Sequence, residues 1–169
     1  MKIDLKRLKL YPQESEEFHL QAAGRDELLS ELGGRFIAPV KLDLLVTNTG
    51  RAFAGQGKVR TVLELICSRC LEKVIFPVEA DISLTLLESN NDEIVDNGDS
   101  EDIIYFRQSE ADLQLGIEEA IFMSLPINPL CKDNCKGLCP SCGVNRNVEE
   151  CHCSRQEIDP RWEKLKNLR

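Results

Sequence analysis

Between residues 39 and 87 the chain alternates apolar and polar positions with a period of two. Val40, Leu42, Leu44 and Val46 interleave with Lys41, Asp43, Leu45 and Thr47. A strand points successive side chains to opposite faces, so this pattern predicts one buried and one solvated face. Asn48-Thr49-Gly50 reads as a turn. Val59 to Ile66 follows as a second strand, apolar on both faces. Val74, Phe76, Val78, Ala80, Ile82, Leu84 and Leu86 then line one face of a third, long strand, with Pro77, Glu79, Asp81, Ser83 and Thr85 on the other. Three strands with short connections predict an antiparallel sheet buried on one side. Pro77 has no N–H to give to a ladder and marks an edge strand or a bulge.

The period then lengthens. Ile103 to Phe106 reads as a short strand. Ser109-Glu110-Ala111-Asp112 has the spacing of a capping box. Behind it Leu113, Ile117, Ala120, Ile121 and Ser124 share a helical face, widened by Phe122 and Leu125, and Pro126 ends the helix. The fold class expected is α+β: an antiparallel sheet packed by one long helix, with a C-terminal zinc-binding tail. The core spans 1–126 and the cysteine-rich tail 127–169. Signals before residue 38 are weak. A short helix over 27–32 follows Asp26 and is stopped by Gly33-Gly34; His19 receives no role. In the tail, Asp159 caps a short helix with Pro160 at its first position and Trp162, Leu165 and Leu168 along one side.

Charge narrows the function. The net charge is −8, unevenly spread. Residues 88–130 hold one basic residue, Arg107, against eleven acidic ones, while 131–169 hold eight basic against six acidic. A broadly basic nucleic-acid binder is excluded, so any nucleic-acid contact is local and the tail is its place. Residues 88–102 read as a solvated acidic loop; the spacing of a twelve-residue calcium loop is absent. The N-terminal segment lacks the apolar run of a secretory signal, and no stretch reaches the length of a membrane helix. The expected compartment is the cytoplasm.

All eight cysteines fall in close pairs: Cys67/Cys70, Cys131/Cys135, Cys139/Cys142 and Cys151/Cys153. A pair of thiolates one short turn apart grips one side of a tetrahedral zinc, and two pairs close the shell. Four pairs predict two structural zinc sites. Disulfides require an oxidising compartment. A redox C-x-x-C opens a helix, where the helix N-terminus lowers the thiol pKa; Cys67 and Cys70 instead lie between two strand-like runs. Gly-Leu-Cys-Pro-Ser-Cys-Gly over 137–143 has the form of a zinc knuckle, its last glycine relieving crowding where amides turn toward sulfur. Cys151-His152-Cys153 follows eight residues later. Pairing 67/70 with 131/135 and 139/142 with 151/153 is preferred. The alternative joins 67/70 to 139/142 and leaves 131/135 to 151/153.

The segment LPINPLCKDNCKGLCPSCGVNRN, the C-x-C after it, the final DPRWEKLKNL, and CSRCLEKV in the sheet together resemble the YceD family, the large ribosomal RNA subunit accumulation proteins. The resemblance covers about 39–169 well and the first 38 residues loosely. It implies a role in accumulation of large-subunit ribosomal RNA and no catalytic activity. Some family members lack the last four cysteines, which treats those four as a separable second unit.

The reading is a non-enzymatic factor for large-subunit assembly. Its metal residues are Cys67, Cys70, Cys131, Cys135, Cys139, Cys142, Cys151 and Cys153, holding two zinc ions. Its partners are the precursor large subunit, its RNA or its proteins, with no membrane and no small-molecule substrate. The alternatives are a thiol oxidoreductase or redox sensor using Cys67/Cys70, and a zinc-ribbon adaptor binding protein.

Overall fold

The computed structural model describes residues 1–89 and 103–153. Most of the acidic loop, the C-terminal helix expected over 159–168, and its basic residues lie outside them. Among the described residues, six strands form the main sheet. β2 (Ser15–Ala22), β4 (Val40–Asn48), β5 (Phe53–Ile66), β6 (Lys73–Glu88) and β7 (Ile103–Phe106) run side by side in that order, and β3 (Arg35–Phe36) pairs with the far end of β5. A second, two-stranded sheet joins β1 (Lys2–Asp4) to β8 (Glu110–Asp112). Between these lie a one-turn helix α1 (Lys6–Lys9), a 3-10 helix (Asp26–Leu32) and the helix α2 (Gln114–Met123).

The alternation read from 40 to 47 and from 74 to 86 is the burial pattern. Val40, Leu42, Leu44, Val46, Val78, Ala80, Ile82, Leu84 and Leu86 are buried in one core with Val59, Leu63 and Leu65 of β5. Leu29 of the 3-10 helix and Ile117 and Ile121 of α2 complete the lid over this face. Each of the buried valine, leucine and isoleucine side chains contributes about 1.5–3 kcal/mol through its burial. Gly33, at φ 60°, stops the 3-10 helix as its position suggested. Among the described residues, the stretch of β6 that holds Pro77 pairs with β5 alone, so its missing N–H lies on the side away from that ladder.

The solvated face carries a cross-strand charge ladder. Asp43 meets His19 Nδ1 at 2.8 Å and Arg60 Nη1 at 2.6 Å. Arg60 continues to Glu79 at 3.5 Å, and Lys58 reaches Glu79 and Asp81 at 3.0 and 3.3 Å. The hydrogen bond from His19, with Arg60 beside it, holds the Asp43 carboxyl below its ordinary range. His19 thus has a structural partner across β2 and β4.

Four expectations are corrected. The helix is short: α2 runs ten residues, and Phe122, assigned to its inner face, is exposed. The sheet is not wholly antiparallel, because β7 pairs with β6 in parallel. Residues 109–112 form no capping box. Ser109 has φ 72°, Glu110–Asp112 is the strand β8, and the Asp112 carboxylate accepts from the Gln114 N–H at 3.0 Å. Finally, the weak N-terminal segment holds a full edge strand, β2, in register with β4 from Ser15↔Thr47 to Ala22↔Val40. Among the described residues no helix is long and apolar enough to cross a membrane.

Candidate metal centres

Cys67 and Cys70 occupy the turn where β5 returns as β6. Two backbone bonds shape it: Leu71 N–H to Cys67 O at 3.0 Å and Cys67 N–H to Glu72 O at 2.8 Å. Leu71 takes φ 60° to close the turn. The turn at Cys139-Pro140-Ser141-Cys142 repeats it position by position. Gly143 N–H donates to Cys139 O at 2.8 Å, Cys139 N–H to Val144 O at 2.8 Å, and Gly143 has φ 76°. Two C-x-x-C turns far apart in sequence are therefore the same knuckle, with leucine in one where the other has glycine. In both, amides inside the turn face sulfur, the arrangement that stabilises thiolate.

The sulfurs gather in two sets of four. Cys67, Cys70, Cys131 and Cys135 have their Sγ atoms within 4.8 Å of one another, and so do Cys139, Cys142, Cys151 and Cys153. This is the preferred of the two pairings. The Sγ atoms of Cys67 and Cys135 are 3.9 Å apart, and those of Cys70 and Cys131 are 3.5 Å apart. Zn–S bonds of about 2.3 Å in a tetrahedron place sulfurs ~3.8 Å apart, so the donor set and its spacing fit a zinc ion. A disulfide would bring them to about 2.05 Å.

The thiols of each set are pushed apart in acidity. Burial raises Cys67, but the backbone N–H groups of Cys70, Arg69 and Cys131 outweigh it and bring the thiol to about 6. Burial and the neighbouring thiols Cys70, Cys135 and Cys67 push Cys131 up to about 12. In the second set the backbone N–H groups of Cys142 and Ser141, with the Cys151 thiol, lower Cys139 to about 6, and Cys142 leads the causes that raise Cys153 to about 12. Four clustered acids with amide donors aimed at them resist losing the last proton through mutual repulsion; a divalent cation among them removes that penalty.

Three of the four cysteines of the first set are buried, and Cys131 is exposed. Cys67, Cys70 and Cys135 are buried with Val74, Leu130 and Leu138 in a small cluster of their own. The segment after α2 is tied to the knuckle: Ser68 N–H and Oγ both donate to Pro129 O at 2.9 Å, and Arg69 Nη1 donates to Cys135 O at 3.0 Å. Gly137, at φ 70°, brings Leu138 close enough for its N–H to reach Arg69 O at 3.0 Å. Asn147, which the sequence did not single out as functional, donates from Nδ2 to Cys135 Sγ at 3.3 Å. Burial raises Cys135, but Asn147 and the Gly137 N–H bring it below its ordinary value. His152 is exposed and stands outside both sulfur sets.

This burial bears on redox chemistry, because Cys67 has no exposed surface and Cys70 only 4%. Attack on a disulfide needs an accessible thiolate. The protein is expected to show no reductase turnover in an insulin-reduction assay; turnover that disappears in Cys67→Ser would overturn this and favour the oxidoreductase.

The model of the family described as large ribosomal RNA subunit accumulation protein YceD matches residues 55–169, from β5 through all eight cysteines. The chain belongs to the YceD family. Among relatives, an uncharacterised protein of Mycobacterium tuberculosis (strain H37Rv) is 36% identical over 129 residues, covering 76% of this chain and 61% of its own. The large ribosomal RNA subunit accumulation protein YCED homolog 1, chloroplastic, of Arabidopsis thaliana is 30% identical over 78% of this chain and 49% of its own length. The protein of the same name from Zea mays is 28% identical over 77% of this chain and 54% of its own. This YceD-family chain therefore spans about half to three fifths of the relatives it matches. No solved structure matches. The family match begins at 55, inside β5, where the resemblance read from the sequence began near 39.

Proposed function

We propose that this protein is a non-enzymatic, zinc-stabilised factor that supports accumulation of large-subunit ribosomal RNA and assembly of the large ribosomal subunit in the cytoplasm. The observation that carries the reading is the family match over 55–169, the stretch that contains both sulfur sets. Two closed four-thiolate sites leave no coordination position for water or substrate, so the metal holds the fold together. Cys67, Cys70, Cys131 and Cys135 hold one ion, and Cys139, Cys142, Cys151 and Cys153 the other. The core over 1–126 and the tail over 127–169 are then joined through the first ion.

The purified chain is expected to carry two zinc ions, both bound by thiolate alone. Elemental analysis that finds one ion or none in folded protein would refute the two-site reading. The partners proposed are the precursor large subunit, its RNA or its proteins, with the tail as the contact. Arg161, Lys164 and Lys166 lie in a net-basic stretch of an acidic chain. Phosphate contacts release counterions, so co-sedimentation with large-subunit precursors is expected to weaken as salt rises. Replacing all three by alanine should weaken it further with zinc content unchanged. Co-sedimentation that persists in the triple variant at every salt concentration would remove the tail as the contact.

A further inference from the structure

The two sulfur sets are not independent. Between Cys142 and Cys151, the loop of the second set carries Asn145 and Asn147, and both reach the first set's surroundings. Asn147 Nδ2 has two hydrogens; one goes to Cys135 Sγ at 3.3 Å and the other to Asn145 Oδ1 at 2.8 Å. Its Oδ1 accepts the N–H of Lys136, the residue after Cys135, at 2.9 Å. Asn145 Nδ2 donates to Glu72 Oε1 at 2.9 Å, and Glu72 is the residue whose carbonyl closes the Cys67 knuckle. Asn145 also bridges to Leu138, next to Cys139. Every hydrogen-bonding atom of the Asn147 side chain is thus spent on the boundary between the two sets.

We propose that Asn147 is a positioning residue that couples the two metal sites, so that an ion bound in either set strengthens binding in the other. This rests on the reading of both sets as metal sites. The loop from 142 to 151 has little to fold around except its own four sulfurs, and metal binding to such a set is coupled to folding. Once folded, it delivers the Asn147 amide to Cys135, where a hydrogen bond to sulfur stabilises thiolate and orients the ligand. A coupling of this kind is reciprocal: loss of the first set weakens the second by the same factor.

The experiment titrates the full chain with cobalt(II) against a competing chelator, following thiolate-to-metal charge-transfer absorption. The proteins are wild type, Cys153→Ser, Asn147→Asp and the double variant. Asn147→Asp keeps the shape and the acceptor for Lys136 but loses both donations of the amide, to the Cys135 sulfur and to Asn145. Loss of the sulfur hydrogen bond is expected to lower first-set affinity about tenfold, the lower end for groups that support metal ligands. Cys153→Ser should lower it by a similar factor, and the double variant should add little to either. The converse, Cys70→Ser, should weaken the second set by the same factor. First-set affinity unchanged in both Asn147→Asp and Cys153→Ser, or additive losses in the double variant, would overturn the coupling while leaving both sites intact. Wild type that binds no cobalt through Cys67 would overturn the metal reading itself. Asn147→Asp leaves all eight cysteines in place, and its second-set affinity, expected to fall along with the first, tests the coupling even if Cys153→Ser disturbs the tail's fold; a second-set affinity equal to wild type would overturn it.

Discussion

Cys67→Ser is expected to lower the thermal midpoint far more than Cys151→Ser. With metal bound as proposed, Cys67 anchors the first set to the β5–β6 turn, while its partners lie after α2. Cys70 and Cys131 are 61 residues apart, and the cross-link encloses all of β6, β7, β8 and α2. By the chain-entropy model, closing such a loop stabilises by about 4 kcal/mol, whereas a loop of ten residues or so, as between Cys142 and Cys151, gives about 2.5 kcal/mol. Serine at 67 also leaves the buried Cys70 and Cys135 thiolates with a broken shell, a further cost. Cys151 is only half-buried and closes a local loop. Thermal melts of the two variants with bound metal measured alongside are the check. A larger loss from Cys151→Ser would mean that the tail, not the sheet turn, is the anchor.

Gly57→Ala should be the most damaging small change in the sheet. A Cβ at 57 would lie 2.0 Å from Asp43 O and 2.9 Å from Leu44 Cα, both backbone atoms of the paired strand β4. Neither moves without parting the ladder. Forced overpacking of this kind costs about 3 kcal/mol. Gly55→Ala, two residues earlier on the same strand, is the control. Its Cβ would meet Leu44 Cδ1 at 3.5 Å, an ordinary contact with a side-chain tip. Its cost should stay within about 1 kcal/mol. Urea midpoints for the pair decide the matter; equal midpoints would mean that β4 and β5 do not approach so closely at Gly57.

The same glycines show why part of the fold was hard to read from the sequence. β4 and β6 stood out because each repeats a large apolar residue every second position. β5 begins six residues before the strand expected at Val59, because Phe53-Ala54-Gly55-Gln56-Gly57-Lys58 offers no alternation of large side chains. What makes the stretch a strand is the close approach of β4, a tertiary cause. β2 was missed for another reason: it lies at an edge, its inner face is only half-buried, and Glu16 shares that face with Phe18 and Leu20. At β8 the spacing of Ser109 and Asp112 was a true local signal, but pairing with β1 more than a hundred residues away prevailed.

The candidate site was largely legible, since eight paired cysteines allow few arrangements and their spacing favours the one found. Two features were not. Leu71 hides the identity of the two knuckles, because no pattern of residue types suggests leucine at φ 60°. Asn147 looks like an ordinary turn residue, and only the folded loop shows that its amide meets a sulfur.

The pairing of β1 with β8 also bears on how the chain is made. Lys2 waits for Asp112, and Ile3 for Ala111. At the usual rates of synthesis of about 5–20 residues per second, the partner emerges on the order of ten seconds later. During that interval β4, β5 and β6 already have all they need for their hairpins, since each pairs with its neighbour in sequence. β1 is therefore among the last of the described strands to dock, and until then Ile3 and Leu5, both buried in the folded protein, await their partners.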